Sequence, residues 1–429
     1  MKLRFGIVIL GLVAACALAA IVTLVIQEHG RTRETAPRVL TYEELSGSVF
    51  TPPAGDPFRA PKVRILQAPD FPGAIAIWGS TGRDTRGHIW FGFSACCDGG
   101  SARLYEFDPQ SDIWRDHGAV TDQLKAMGSY RQGEGQIKIH SRIVPAGDGR
   151  LYFVSTDEEG EKEDGSALPR WGSHLWSIDP ESGKWRHVMS APEGLIAVAG
   201  VGRYVYALGY WNHILYQYDT LSDATKRREI GSVGGHVSRN LISDARGHVF
   251  VPRVRRGADG SLSASLVELD SDLRERAVTP LDAYLGKGAV ENNPGITGLA
   301  YIRDGRIVFL TSRGFLYAID LVDPNEPDGP RKVQALGQMY PDGERYAASL
   351  FSLGDDVSVA AVFGGQRGYE WVVMNLRLGI STAFSIDTKE LKGVLLYGSI
   401  ARDNSGRAYT VGWYSIPRGK GPLVLQIEP

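Results

Sequence analysis

Residues 104–109 read Leu-Tyr-Glu-Phe-Asp-Pro, and this stretch decides the fold because copies of it recur along the chain. Each copy has the form apolar, aromatic or apolar, any residue, apolar, Asp, so its side chains alternate with the period of two of a β-strand. The aspartate predicts a tight turn into the next strand. Clear copies begin at Leu104, Leu175, Leu215, Leu266 and Leu316, and degenerate copies begin at Trp371 and Leu423.

A second pattern, a turn containing Gly followed by an apolar strand, precedes most copies. It occurs at residues 148–153, 246–250, 304–309 and 405–409, each time after another apolar strand. Each unit therefore predicts about four short antiparallel strands. Outside the amino-terminal segment, helical turns are expected only near residues 120–127 and 280–285.

A four-stranded unit repeated at 40–55 residues is typical of a β-propeller. The copies begin 71, 40, 51, 50, 55 and 52 residues apart, which predicts an all-β, seven-bladed propeller of four-stranded antiparallel blades. Residues 62–66 are expected to supply the outer strand that the last unit lacks and to close the ring. Six or eight blades are the alternatives. The first interval of 71 residues is long enough to hold an eighth blade. Residues 157–170, however, read better as a polar surface insertion.

The hairpins that run from a repeat aspartate to a tryptophan, Asp108 to Trp114 and Asp179 to Trp185, resemble those of kelch-like and quinoprotein-like propellers. The resemblance covers roughly residues 61–429 and implies the fold alone, since propellers carry many activities. The repeat itself assigns the 52 glycines largely to blade turns, and many of the 9 Trp and 18 Tyr residues to the hairpins.

The charge balance excludes one class of partner. The 429 residues include 47 Lys and Arg against 49 Asp and Glu, which gives a formal net charge of -2. Nucleic-acid binding normally requires a basic excess, so we expect no nucleic-acid partner.

Residues 5–26 are almost wholly apolar and follow two basic residues, which predicts an N-terminal transmembrane helix that acts as a signal anchor. A cleaved signal peptide is an alternative, because small residues within the segment can form a cleavage site. The predicted domains are an anchor or signal peptide at residues 1–26, a polar tether at residues 27–60 and the propeller at residues 61–429.

The stretch Val13-Ala14-Ala15-Cys16 also resembles a bacterial lipoprotein box, which implies lipidation of Cys16. The anchor, the signal peptide and the lipoprotein all send the remainder of the chain out of the cytoplasm. We therefore expect a membrane-anchored protein of the periplasm or the cell surface.

A functional site is expected at one mouth of the central channel, where the inner strands of the blades begin. Two equivalent segments there each hold a histidine and an arginine: His140 with Arg142, and His236 with Arg239. A neutral histidine can accept a proton, and an arginine matches a carboxylate with two hydrogen bonds. The pattern predicts binding of an acidic carbohydrate or a similar anionic small molecule. Further ligand-binding candidates at strand starts are Asn293, Arg345, Tyr346 and Tyr397.

Together with the repeat, Lys138-Ile139-His140 and the Gly-His-Val-Ser-Arg segment at 235–239 resemble propeller polysaccharide lyases of the oligogalacturonate and ulvan groups, and streptogramin lyases. The resemblance implies a uronate or lactone substrate and a divalent metal. The catalytic candidates are His140, His236, Arg239 and Tyr210. The alternative interpretation is that these side chains only hold the blades together.

Loops that lead into the repeat hairpins can reach the same mouth. They carry His174, Trp211 and His213, which would extend the ligand site; the two histidines could also join those of the mouth in a metal site. No short spacing between histidines supports a metal. The acidic residues 157–164 lack the pattern of a calcium-binding loop and are interpreted as a solvated loop.

The adjacent Cys96 and Cys97 can form a vicinal disulfide outside the cytoplasm. The run Ser-Ala-Cys-Cys-Asp at 94–98 resembles a segment of methanol-dehydrogenase-like quinoproteins, which implies a quinone cofactor. The regular Gly-Trp repeats of that family are missing, so a structural disulfide or two free thiols is the alternative.

The sequence therefore predicts a membrane-tethered, extracytoplasmic propeller that binds an acidic carbohydrate or a similar anion, either as a polysaccharide lyase or without catalysis. The alternatives are a non-catalytic scaffold for envelope proteins and a quinone-dependent oxidoreductase.

Overall fold

The computed structural model describes residues 56–96, 100–162, 165–287, 295–320, 329–355, 357–365 and 368–429. These residues form seven antiparallel sheets, and each sheet is one blade of a propeller. The prediction of seven blades is confirmed, and the alternatives of six or eight blades are wrong.

The strands follow the chain from the inner to the outer edge of each blade, except that β1 (Lys62–Leu66) belongs to blade 7. Blade 1 contains β2 (Ala74–Ala76), β3 (Thr81–Arg83), β4 (Ile89–Ala95), β5 (Arg103–Asp108) and β6 (Ile113–Ala119). Blade 2 contains β7 (Lys138–Ile139), β8 (Val144–Pro145), β9 (Leu151–Thr156), β10 (Ser173–Ile178) and β11 (Trp185–Ala191). Blade 3 contains β12 (Leu195–Val201), β13 (Tyr204–Gly209), β14 (Ile214–Asp219) and β15 (Thr225–Glu229).

The remaining blades have the same order. Blade 4 contains β16 (Ile242–Ser243), β17 (Val249–Arg256), β18 (Leu262–Leu269) and β19 (Glu275–Pro280). Blade 5 contains β20 (Ile296–Tyr301), β21 (Ile307–Thr311), β22 (Phe315–Ile319) and β23 (Val333–Gln338). Blade 6 contains β24 (Tyr346–Ala347), β25 (Phe351–Ser352), β26 (Ser358–Gly365), β27 (Gly368–Asn375) and β28 (Ile380–Ile386). Blade 7 contains β29 (Leu395–Arg402), β30 (Ala408–Ile416), β31 (Gly419–Glu428) and β1.

The ring closes through pairing of the first and last strands. β1 lies antiparallel to β31, with Lys62 opposite Glu428 and Ile65 opposite Leu425. The predicted closing strand is therefore confirmed. The outer strand of blade 7 therefore comes from the start of the domain, and its hydrogen bonds to β31 join the two ends of the propeller.

The repeat aspartates form the predicted turns. The backbone N–H of Gln110 donates to Asp108 at 2.9 Å, and the N–H groups of Glu181 and Leu221 donate to Asp179 and Asp219 at 2.9 and 3.1 Å. A carboxylate that accepts from the backbone two residues later stabilises a tight turn.

The long first interval holds two insertions instead of a blade. A short helix, α1 (Val120–Ala126), follows β6, and residues 157–172 join β9 to β10. The first predicted helical turn is thus confirmed, whereas residues 281–287 contain turns and bends without a helix.

The apolar core is divided among the interfaces between blades. Seven clusters of buried side chains each combine residues of two neighbouring blades, including the pair of blades 7 and 1. Trp90, Trp176 and Trp371, all on middle strands, are fully buried. The aromatic residues of the repeat therefore stabilise blade-to-blade packing.

Among the residues that the structure describes, no helix is long and apolar enough to span a membrane. The predicted anchor at residues 1–26 and the tether up to residue 55 lie outside them.

Candidate functional site

A narrow cavity lies where the inner strands of the blades converge. Its lining comes from blades 1, 2, 4, 5 and 7, and its free volume is about 10 Å³, the space of about one water molecule. The lining residues are Trp78, Gly79, His140, Arg142, Arg239, Asn240, Thr297 and Gly398. We call this the axial cavity.

Glycine keeps the cavity narrow. A Cβ atom on Gly398 would lie 2.4 Å from the carbonyl oxygen of Ala348 and 2.6 Å from that of Thr297. A Cβ atom on Gly79 would lie 2.7 Å from the carbonyl oxygen of Gly398. The inner strands of four blades can approach this closely only because these two positions carry no side chain.

His140, between β7 and β8, is the centre of a hydrogen-bonded chain. Arg239 Nη1 lies 3.2 Å from His140 Nε2, and Tyr210 Oη lies 2.6 Å from His140 Nδ1. Because a guanidinium only donates, Nε2 must accept and the neutral ring carries its proton on Nδ1. That N–H donates to Tyr210, whose hydroxyl donates in turn to Glu158 at 3.4 Å. The chain runs from the axis to Glu158, which is partly exposed.

The surroundings of His140 favour its neutral form. Burial, together with the positive charges of Arg239 and Lys138, holds the pKa of His140 well below 6.5. Burial also raises the pKa of Tyr210 well above 10, and the charge of Glu158 adds to this. At neutral pH the pair is an uncharged imidazole beside an uncharged phenol.

The axial cavity holds two arginines but no acidic side chain among its described lining residues. Burial lowers the pKa of Arg142 to about 10, still far above neutral, so the guanidinium remains charged. Buried polar atoms without a hydrogen-bond partner include Nε of both Arg142 and Arg239, Nε1 of Trp78 and Oδ1 of Asn240. Buried cations with unused donors make a site whose chemistry is complementary to an anion.

The rim of the cavity is aromatic and basic. The rings of Trp78 and Tyr397 meet edge to face with centroids 4.8 Å apart, and the Arg239 guanidinium lies 4.8 Å from the Tyr397 ring centre. Lys420 Nζ lies 4.5 Å from the ring centre of Trp413 and 5.7 Å from that of Trp78. Such cation–π contacts hold positive charge beside half-buried aromatic faces.

Several predicted site residues thus meet at the axis. His140, Arg142 and Arg239 line the cavity, Tyr210 contacts His140, and Tyr397 lies beneath Arg239. Tyr346 lies close enough to Arg239 and Tyr397 for their charges to influence its pKa, which burial raises to about 12.

His236 does not line the axial cavity. Its Nδ1 contacts Ser232 Oγ at 2.6 Å, and its Nε2 contacts Tyr284 Oη at 2.8 Å. The His213 ring lies 4.6 Å away, centre to centre, and His213 Nδ1 donates to the carbonyl of Pro252. Burial lowers the pKa of both rings, to about 4 for His213. They form a neutral buried pair between blades.

The other predicted residues lie farther out. On β10, His174 contacts Glu134 and His187, each at 2.8 Å. Arg345 donates to Glu370 and to the carbonyl of Gly364. Trp211 is buried and donates to Glu161. Asn293 and Cys97 lie outside the described residues, so the predicted role of Asn293 and the predicted disulfide stay predictions.

The acidic side chains that follow β9, at residues 157–161, each contact a different group of the protein. Asp157 accepts from the backbone N–H of Gly135, Glu158 pairs with Lys138, and Glu159 accepts from Trp171. Glu161 accepts a hydrogen bond from Trp211, so four of these carboxylates have different protein partners. They therefore fold the loop over Tyr210 and Trp211, while residues 163 and 164 lie outside the described residues.

The described residues contain an acidic cluster with metal-like spacing on a different hairpin. Asp84, His88 and Glu106 place one potential ligand atom each within 4.8 Å of one another. The Arg86 guanidinium already bonds Asp84 at 3.0 Å and Glu106 at 2.8 Å. Burial would raise the pKa of Glu106, but hydrogen bonds from His117 and His88 and the charge of Arg86 lower it to about 2. The cluster is a complete ion network.

The ion network recurs in blade 4, which shows that it belongs to the repeat. There Arg246 reaches Asp244 at 3.1 Å and Glu268 at 3.4 Å, and His248 contacts Glu268 at 2.7 Å. A recurring internal pairing favours a structural role at both hairpins.

Sequence reasoning missed Trp78, Trp413 and Lys420 at the rim. Trp78-Gly79 precedes β3 of blade 1. This position is equivalent to the mouth segments of the other blades, so the repeat could have identified Trp78 from the sequence. Trp413 and Lys420 lie on β30 and β31 near their shared turn, and they reach the rim because blade 7 lies beside blade 1, which carries Trp78.

The fold is similar to that of solved propeller structures. The structure of U3-55K is 13% identical with a TM-score of 0.48, and the match covers 88% of this chain and 100% of that one. The C-terminal WD40 domain of Sif2 is 10% identical with a TM-score of 0.44, over 86% and 99% of the two chains. A protein of unknown function from Dyadobacter fermentans is 12% identical with a TM-score of 0.46, over 86% and 98%.

Neither a protein-family model nor a curated protein matches the chain. Identities this low concern the fold alone. The resemblance to propeller lyases and the predicted metal or quinone cofactor therefore stay predictions.

Proposed function

We propose that the protein is a membrane-tethered, extracytoplasmic propeller that binds an acidic carbohydrate, with the carboxylate of the sugar held between Arg142 and Arg239. One observation carries this proposal. Both arginines line a single buried cavity, each has an Nε without a hydrogen-bond partner, and no acidic side chain is among the described lining residues. Only an anion can supply both the charge and the acceptors that these groups lack.

Size supports a carboxylate as the anionic group. The axial cavity has a free volume of about 10 Å³, the space of about one water molecule, so one oxygen of a carboxylate can enter in place of a water while the rest of the ligand stays at the rim. A guanidinium matches the planar carboxylate with two parallel hydrogen bonds.

The rim supports a sugar as the remainder of the ligand. Trp78, Tyr397 and Trp413 are half-buried at the rim. Aromatic faces suit the apolar faces of sugar rings, and the charge of Lys420 favours an acidic sugar over a neutral one.

The membrane tether is proposed from the sequence of residues 1–26. The apolar segment is long enough for a transmembrane helix, and residues 27–60 are polar enough to act as a linker. Alkaline phosphatase fused after residue 60 should be active in cells if the propeller is exported. An inactive fusion, with an active cytoplasmic reporter fused at the same position, would contradict export.

Polysaccharide lyase activity is the second candidate, and the contacts of His140 with Tyr210 and Arg239 favour it. In this reaction a base removes the proton beside the uronate carboxylate, a carbon–carbon double bond forms, and the glycosidic oxygen leaves with a returned proton. The free volume beside His140 admits no sugar ring, so we rank binding first. Ultraviolet absorbance of an unsaturated product, lost in His140→Ala, would reverse that order.

Binding is tested with glucuronate and glucose on the full-length protein in neutral detergent, by calorimetry. We expect glucuronate to bind and glucose not to bind at the same concentration. Arg142→Gln and Arg239→Gln should each weaken glucuronate binding about 10- to 150-fold, the effect of losing a hydrogen bond to a charged group.

Arg306→Gln is the matched control for these variants. Arg306 lies on the turn between β20 and β21 and pairs with Asp304 at 2.7 Å, away from the axial cavity. The control should bind glucuronate like the unmodified protein. Equal affinity for glucose and glucuronate, or unchanged binding in Arg142→Gln, would rule out the proposed site.

A further inference from the structure

A second and much larger concavity lies between blades 6 and 7. Its free volume is about 520 Å³, within the usual range for small-molecule pockets. It is lined by Tyr346, Gly364, Gly368, Tyr369, Thr388, Leu391, Val394 and Leu395. We call it the blade 6–7 cleft.

The cleft opens on the same face of the propeller as the axial cavity. Its lining comes from the start of β24, the adjoining ends of β26 and β27, and the connection from β28 to β29. In an antiparallel blade, the start of the inner strand and the turn between the next two strands lie at the same end. Arg239 and His140, which precede the inner strands β16 and β8, lie at that end as well.

One layer of side chains separates the two spaces. Tyr346 lines the cleft, and the charge of Arg239 on the other side influences its pKa. Leu395 also lines the cleft, and Tyr397, two residues later on β29, lies against the Arg239 guanidinium. The cleft and the axial cavity are therefore neighbours on this face of the propeller.

The described lining of the cleft is uncharged and amphipathic. Its described lining contains two tyrosines, three aliphatic side chains, one threonine and two glycines, but no charged side chain. The backbone N–H of Leu396 donates to Tyr369 Oη at 2.9 Å, which fixes the position of that hydroxyl group. Apolar faces with hydroxyl groups at the edges match the surface of a neutral sugar ring.

Glycine shapes the wall of the cleft. A Cβ atom on Gly364 would lie 2.8 Å from Tyr369 Cε1 and 3.4 Å from Tyr346 Cδ1, so the absence of a side chain lets both rings pack over the strand. A Cβ atom on Gly368 would meet no atom within 4 Å. The two rings thus form one side of the cleft.

We propose that the blade 6–7 cleft is a second subsite, which holds a neutral sugar ring next to the acidic sugar bound at the axis. This inference rests on the proposed function, because the charged group in the axial cavity fixes where the neighbouring ring lies. The ligand class is then an oligosaccharide in which a uronate is linked to a neutral sugar.

The test compares two probes on the full-length protein in neutral detergent, by ligand-observed NMR. Glucuronate reports the axial cavity and its rim, and a disaccharide of glucuronic acid linked to glucose adds the neutral ring that would enter the cleft. The unmodified protein should bind the disaccharide at least tenfold more tightly than glucuronate. Thr388→Trp, which fills the cleft, should remove this advantage and leave glucuronate affinity unchanged.

Ser385→Trp is the matched control, because Ser385 is exposed on the outer strand of the same blade and does not line the cleft. It should bind both probes like the unmodified protein. If Thr388→Trp also loses glucuronate binding, its fold is disturbed, and the milder Leu391→Phe decides by the same comparison.

The outcomes separate the two proposals. Binding of neither probe to the unmodified protein would overturn the proposed function and the second subsite together. Binding of both probes with equal affinity, or a disaccharide advantage that survives filling of the cleft, would overturn the second subsite and leave the axial site standing.

Discussion

His140 has its tautomer fixed by its neighbours, since Arg239 donates to Nε2 and leaves the proton on Nδ1. An anion that takes over the donors of Arg239 would face the bare Nε2 of the imidazole. The unfavourable contact is relieved when Nε2 gains a proton. The axial site is therefore one in which binding and protonation are coupled.

We predict that carboxylate affinity rises as the pH falls. Burial and the charges of Arg239 and Lys138 hold the pKa of His140 well below 6.5 without ligand, and a bound anion raises it by offsetting those charges. The bound state then holds more protons, so acid favours binding. Calorimetry of glucuronate in buffers of different ionisation enthalpy should show proton uptake at pH 6, where the sugar carboxylate is already ionised. Binding without proton uptake would show that His140 only changes tautomer.

Gly398 should not tolerate even one methyl group. We expect Gly398→Ala to lower the free energy of unfolding by about 1–3 kcal/mol, because the new Cβ would overlap the carbonyl oxygens of Ala348 and Thr297. Gly209→Ala is the control, since its Cβ would lie 3.4 Å from its nearest neighbours and should change stability little. Urea denaturation measures both; equal stability of the two variants would contradict the close approach of the inner strands.

At the scale of elements, the hairpins of blades 1 and 4 each enclose a buried acidic pair with an arginine between the carboxylates. Asp84 and Glu106 have almost no exposed side-chain surface, whereas their partner Arg86 is about one-third exposed. Two buried carboxylates without the guanidinium would repel each other and lose hydrogen bonds.

We therefore predict that Arg86→Gln destabilises the protein by about 3 kcal/mol, the lower part of the range for breaking a buried ion pair. Arg306→Gln, on the equivalent hairpin of blade 5, should cost less than about 1 kcal/mol because Asp304 is much more exposed. The difference between their urea midpoints checks this. A similar loss of stability in both variants would mean that the burial of the carboxylates does not set the cost of removing the arginine.

Most of the elements could be predicted from the sequence because they rest on local rules. Asp108, Asp179 and Asp219 make turns with residues two positions later, and period-two alternation identifies the strands on either side. The closing strand β1 was predictable because the last unit lacks its outer strand.

The candidate site was only partly predictable, because it depends on contacts between distant blades. His140 and Arg239 were found through their equivalent positions in the repeat, and they meet. His236 occupies the same kind of segment, yet it turns toward Ser232 and Tyr284. Side-chain direction at a strand start follows from packing between blades, and a repeat pattern does not encode it.

At the scale of the whole molecule, buried neutral histidines make the stability of the propeller depend on pH. Burial lowers the pKa of His187 and His213 to about 4, and it also holds the values for His140 and His236 below 6.5. The unfolded chain binds protons at these residues near pH 6.5, whereas the folded protein does not. Stability contributed by the neutral rings is therefore present above pH 6.5 and is lost as the pH falls toward 4.

We predict a lower urea midpoint at pH 5 than at pH 7.5, and a smaller difference in His236→Asn. The buried carboxylates of Glu106 and Glu134 do not add to this difference, because their pKa values are about 2 and they lose their contribution to stability only below about pH 4.5. Identical midpoints at the two pH values would show that the histidines are not buried in their neutral form.

The central claim, that the propeller axis is a carboxylate site, is tested most directly by a crystal structure of the full-length protein with glucuronate. We predict electron density for the sugar carboxylate within hydrogen-bond distance of Nε of both Arg142 and Arg239, with the sugar ring at the rim near Trp78. Glucuronate bound elsewhere on the propeller, with only water at the axis under saturating ligand, would contradict the account.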